Sequence, residues 1–183
     1  MKKTVILLLF LGISTAFAAR KPKGIVFFDL GDTLINKVNF NDPKSKSHYM
    51  PGAREHLQTL QKSGYLVGLI TNIPDEWGAT IELKIETMKK KVAERWEEKE
   101  PFDWEIFEGR VIVPPKDELR KPNPYMFVQA KSIAAKDKLK VLFEGEDSVE
   151  VAIAESQGFG AYQVFRKGFS NFPSTGAVRR TAK

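Results

Sequence analysis

The chain has 183 residues, a formal net charge of +6, two histidines and no cysteine. That excludes disulfides, thiol catalysis and Cys-ligated zinc, and two histidines are too few for a multi-His metal site. The charge is modest and its lysines are dispersed, which favours anionic ligands by general field effects without any recognisable nucleic-acid-binding motif.

Lys2 and Lys3 precede an apolar run from Val5 to Ile13, and Ala16-Phe17-Ala18 supplies small residues at a cleavage position. This is the layout of a secretory signal peptide over residues 1–18, cut after Ala18. The apolar run is too short for an ordinary membrane-spanning helix, so a periplasmic or secreted protein of 165 residues is expected. One domain fits that length, spanning 19–167.

Gly24 to Phe28 reads as a buried strand running into Asp29, and Gly31, Asp32 and Thr33 follow at once. Residues 35–51 have loop composition. Pro51-Gly52-Ala53 opens a helix that Gly64 stops, with Leu57 and Leu60 on one face. A second strand, 65–70, delivers Thr71 and Asn72. Residues 75–99 read as one long charged helix, its apolar stripe formed by Ile81, Ile85, Met88, Val92 and Trp96, inside a helical insertion over 73–110. Trp77, Trp96, Phe102 and Trp104 cluster near its ends, where core packing is the commoner role and the rim of a site the alternative. A third strand, 111–113, stops at Pro114-Pro115. Asn123 and Pro124 start another helix, with Lys121 just before it. A fourth strand, 139–143, leads into Glu144-Gly145-Glu146-Asp147-Ser148-Val149-Glu150, where Asp147 can cap a helix. A fifth strand is expected at 161–165, and a loosely ordered tail at 168–183.

Four of these stretches, in order, resemble the motifs of the haloacid dehalogenase (HAD) superfamily. They are Asp29-Leu30-Gly31-Asp32-Thr33, the strand ending in Thr71, Lys121-Pro122-Asn123-Pro124, and Gly145-Glu146 with Glu150. The resemblance covers about 24–165. It implies a Rossmann-like, three-layer α/β/α fold with a mainly parallel sheet, strand one at its centre, and a minimal or absent cap. It also implies a metal-dependent phosphatase working through an aspartyl-phosphate. Asp29 would be the nucleophile, Thr71, Asn72 and Lys121 would bind phosphate, and Mg²⁺ would sit on Asp29, the Gly31 carbonyl and Glu146.

Gly31 stands where the family has its acid/base Asp, which leaves Asp32 as the stand-in. Glu146 and Glu150 each replace an Asp. Those departures keep two other readings open: an impaired HAD fold that binds a phosphorylated ligand or protein, and a dehalogenase-like hydrolase. The lack of a sizeable cap implies an open site for a phosphorylated small molecule, a nucleotide or a phosphorylated macromolecule.

Overall fold

The structure is a computed structural model that describes residues 21–166 and 171–181. The signal-peptide reading of 1–18 lies outside the described residues. Five strands form one sheet: β1 (Ile25–Phe28), β2 (Leu66–Ile70), β3 (Val111–Ile112), β4 (Val141–Gly145) and β5 (Gly160–Gln163). Their order is β3-β2-β1-β4-β5 and every pairing is parallel. β1 is central, as the family resemblance implies, and its unbroken apolar run suits a strand covered on both faces.

Side chains of β1 alternate between two cores. Val26 and Phe28 join α1 (Ala53–Lys62), α2 (Ile81–Arg95) and α5 (Thr175–Thr181), while Ile25 and Phe27 face α3 (Tyr125–Lys136) and α4 (Ser148–Ser156). This is the expected three-layer arrangement. Gly68 of β2 pairs with Phe27 across the ladder. A Cβ there would lie 2.5 Å from the Phe27 ring and 2.9 Å from the Arg110 carbonyl, so only glycine lets the central phenylalanine lie flat on its neighbour. Among the described residues no helix is long and apolar enough to cross a membrane.

Three expectations are corrected. The helix read over 75–99 is two pieces, a 3₁₀ turn at Asp75–Trp77 and α2. The break is pinned from both sides. The Thr80 hydroxyl caps α2 by accepting the Leu83 N–H at 3.3 Å. Lys84, 1 % exposed, donates to Asp75 at 2.6 Å and to the Pro114 and Pro115 carbonyls at 2.9 and 3.2 Å. At the far end, a bridge between Ser47 and Trp96 ends the helix. Strands four and five are shifted to 141–145 and 160–163, because β4 follows β1 out to Asp29, whose N–H donates to the Glu144 carbonyl.

The loosely ordered tail is the third. Within it, α5 packs Val178 into the first core, and Phe172 stacks on His56 with ring centroids 4.8 Å apart. His56 in turn pairs with Glu144 at 2.9 Å, both buried. Burial pushes the Glu144 carboxyl above the usual range and His56 pulls it back.

Gly68→Ala tests the close approach in the sheet. Overpacking of this kind costs about 1–3 kcal/mol, so the thermal midpoint should fall by several degrees, at ~2–4 °C per kcal/mol for a chain of this size. An unchanged midpoint would show that the Phe27 ring has room to move aside.

Candidate active site

The carboxyl ends of β1, β2 and β4 lie side by side, and the side chains just beyond them converge. Ligands of open α/β sheets bind at this edge. Asp29 follows β1 and is 8 % exposed; Thr71 follows β2 and is also buried; Glu146 follows β4. Lys121 reaches in from the loop before α3. Its Nζ is 2.5 Å from Asp29 Oδ1 and 2.6 Å from Glu150 Oε2, and the lysine is 5 % exposed.

The charges explain each other. Burial alone would lower the Lys121 pKa, but Asp29 and Glu150 outweigh it and the net shift is upward, so the ammonium is held charged. Glu150 is pushed up to about 7 by burial, against the pull of Lys121, with Asp29 adding repulsion. Burial and then Asp29 also raise Glu146. Three carboxylates therefore share one buried cation.

Two clamps hold this cluster. Asn72 Oδ1 accepts the Lys121 N–H at 2.7 Å and its Nδ2 donates to the Lys121 carbonyl at 3.1 Å. Both polar groups of the side chain are thereby engaged. Asn72 thus positions the lysine, and the second hydrogen of its amide is left for the pocket that it lines. The fully buried Thr33 hydroxyl donates to Glu146 Oε2 at 2.8 Å and accepts the Glu146 N–H at 3.1 Å. Asp147 caps α4 by accepting the Val149 and Glu150 N–H groups at 2.7 and 3.2 Å, as its sequence position implies. That cap orients the first turn, which carries Glu150 toward Lys121.

Asp32 occupies the left-handed region at φ 52, and its Oδ1 accepts the Lys37 N–H at 2.8 Å. It lines the same pocket as Asp29, Gly31, Thr71, Asn72, Glu146 and Glu150. Gly31 has open space around the position a Cβ would take. The pocket has a volume of about 350 Å³. Met88 and Val92 of α2, with Trp77, form part of its wall. The insertion therefore walls one side of the site.

Among the described residues no three acidic or histidine side chains form a cation-binding cluster by themselves. Asp29, Glu146 and the Gly31 carbonyl make a smaller all-oxygen set. It fits a hard cation such as Mg²⁺, which keeps several waters and needs only one or two carboxylates. The mutual repulsion of Asp29 and Glu146 in a buried setting is what such a cation would relieve.

The family model for polynucleotide kinase 3 phosphatases matches residues 24–158, from the first strand through the fourth motif. The chain belongs to this family. It is a HAD superfamily hydrolase of the phosphatase kind. Solved structures share its fold at low identity. A HAD family enzyme from Bacteroides thetaiotaomicron, in complex with magnesium and inorganic phosphate, is 13 % identical with a TM-score of 0.52, over 80 % of this chain and 96 % of that one. A HAD-like protein from Mesorhizobium loti is 16 % identical with a TM-score of 0.51, over 88 % and 85 %. A protein of unknown function from Listeria monocytogenes is 13 % identical with a TM-score of 0.53, over 82 % and 83 %. The comparison with curated proteins finds no match.

Glu150 and Thr33 are the site residues that the motif reading placed without giving them work. Both sit at motif positions, but only the fold brings Glu150 onto Lys121 and Thr33 onto Glu146. The raised Glu150 pKa has a measurable consequence in protein stripped of divalent cations. A carboxyl that binds its proton more tightly when folded adds stability below its unfolded pKa, near 4.3, and loses it as pH rises through about 7. Wild type should therefore lose stability relative to Glu150→Gln between about pH 4.5 and 7.5, read by chemical denaturation. A constant difference across that window would show that Lys121 already keeps Glu150 ionised in the folded protein.

Proposed function

We propose that this HAD-family protein is a metal-dependent phosphomonoesterase that works through an aspartyl-phosphate on Asp29. The observation that carries the reading is the buried Lys121–Asp29 ion pair at the carboxyl edge of the sheet, with Glu146 and Glu150 beside it. A carboxylate there is oriented by a buried cation, which is what nucleophilic catalysis by Asp requires.

Asp29 attacks phosphorus, forming the carboxyl-oxygen-to-phosphorus bond as the bond to the leaving oxygen breaks. Lys121 neutralises the charge that two anions bring together. The Thr71 hydroxyl donates to a phosphate oxygen. The Asp32 carboxyl gives its proton to the departing alkoxide and takes one back from the water that then cleaves the acyl phosphate. The Lys37 N–H already occupies one Asp32 oxygen, which fixes the carboxyl and leaves the other oxygen for that exchange. Asp29, the Gly31 carbonyl and Glu146 would hold Mg²⁺, whose role is to polarise the phosphoryl group and offset its charge.

The relatives' name describes a phosphatase of polynucleotide 3′ ends, which makes such an end one candidate substrate beside small phosphomonoesters. The signal-peptide-like sequence of residues 1–18 supports action in the periplasm or outside the cell. Gly31 favours one competing reading, a HAD fold that binds a phosphorylated ligand without turning it over.

The test is phosphate release from phosphomonoesters with and without Mg²⁺. Turnover that needs the metal and disappears in Asp29→Asn supports the enzyme; absent turnover with retained phosphate binding supports the binding protein. Two further variants address the missing acid. Asp32→Asn keeps the acceptor for Lys37 and removes the exchangeable proton, so kcat should fall by ~10²-fold or more. Gly31→Asp has room for its side chain and should raise kcat. No change in either would mean that proton transfer does not limit the rate.

A further inference from the structure

We infer that the site selects phosphomonoesters whose leaving group carries a planar apolar ring, seated against Phe40 and Trp77. The inference rests on the phosphatase reading and adds the substrate class to it. The pocket that exposes Asp29, Glu146 and Glu150 has a second, chemically different part. Ile35, Val38, Phe40, Trp77, Met88 and Val92 line it. All but Val38 belong to or pack on the first core, so this part is a continuation of that core to the protein surface. The polar groups of the other part are bound to one another through Lys121 and Thr33. Phosphate thus meets one end and the leaving group meets the other.

The apolar end is built to stay in place. Phe40 and Trp77 meet edge to face, with centroids 5.1 Å apart and an interplanar angle of 85°. Lys91 of α2 lies over both, 5.1 Å from the Trp77 centroid and 5.8 Å from that of Phe40. Arg95 donates to the Phe40 carbonyl at 3.3 Å. Trp77 is held by the turn that Lys84 and Asp75 pin. Both rings are only partly buried and line the pocket. They offer a preformed aromatic surface of the kind that favours another ring, stacked or edge to face. A polyhydroxylated leaving group would lose hydrogen bonds to water there and gain none. The volume of about 350 Å³ is at the small end of the ~300–1,000 Å³ range of small-ligand pockets, which favours a small molecule over a polymer end.

The test compares benzyl phosphate, glycerol phosphate and an oligonucleotide carrying a 3′-phosphate, each with Mg²⁺. Benzyl and glycerol phosphates both release alcohols, so the comparison is not dominated by the reactivity of an aryl leaving group. Wild type should show kcat/KM at least tenfold higher for benzyl phosphate than for either alternative. Trp77→Leu and Phe40→Ala should each shrink the benzyl-to-glycerol ratio severalfold. The wild-type ratio needs no variant, so the inference stays testable if either variant misfolds. Turnover without a benzyl preference would overturn this inference and leave the phosphatase standing. Preference for the oligonucleotide would overturn it and assign the site to a polymer end. Release of phosphate from none of the three would overturn both.

Discussion

One buried ammonium holds the end of this sheet together. Asp29, Glu146 and Glu150 are brought to the same edge by β1, β4 and α4, and nothing in an α/β sheet favours three carboxylates meeting in a low dielectric. Lys121 makes the meeting tolerable, bonding two of them directly. Removing its charge would leave the cluster uncompensated, a situation that costs about 3–5 kcal/mol when a buried pair is broken. The backbone of Lys121 is therefore clamped as carefully as its side chain is placed, by both polar groups of Asn72. Two residues that follow different strands thus serve a single contact.

The same logic explains where the cluster remains unbalanced. Burial first, and then the repulsion of Asp29, leaves Glu146 and Glu150 with pKa values above the usual carboxylate range. Structural ion pairs are ordinarily neutral overall; a site short of positive charge is prepared for more of it. Three carboxylates against one ammonium are formally two positive charges short, which is what a divalent cation would supply. The site is thus electrostatically incomplete, which is in keeping with the metal-dependent chemistry proposed for it.

Much of this was legible in the sequence because it depends on short-range signals. An apolar run that stops at Asp29, Pro residues framing Lys121, and an acid at the first turn of α4 each report a strand end or helix start. The five strands, their parallel order around β1 and the convergence of Asp29, Thr71, Lys121 and Glu146 follow from those signals and the family resemblance. What the sequence did not disclose depends on pairs far apart in the chain. Lys84 looks like one more lysine on a charged helix until it turns inward to Asp75 and two proline carbonyls. His56 and Glu144 carry no local sign of pairing. Asn72 reads as a strand-end donor, and only the placement of the Lys121 loop shows that both its groups are engaged. The aromatic residues around the insertion divide for the same reason: Trp77 enters the pocket wall, whereas Trp96, Phe102 and Trp104 pack with one another and Tyr49.

That division bears on how a chain with so little cap achieves a walled site. A separate cap domain encloses substrate by moving over it. Here part of the wall is made by a broken helix folded back onto the sheet edge. Breaking the 75–99 segment between the Asp75–Trp77 turn and the Thr80 cap is what places Trp77 there, because the Lys84–Asp75 contact fixes that turn. The Lys84 side chain, buried at the cost of desolvating a charge, spends its three donors on the turn and on the two carbonyls that end β3. Its position therefore joins the turn that carries Trp77 to the segment just after β3, the strand beside β2, which Thr71 follows. The apolar wall and the polar end of the pocket are thus tied together through the protein itself.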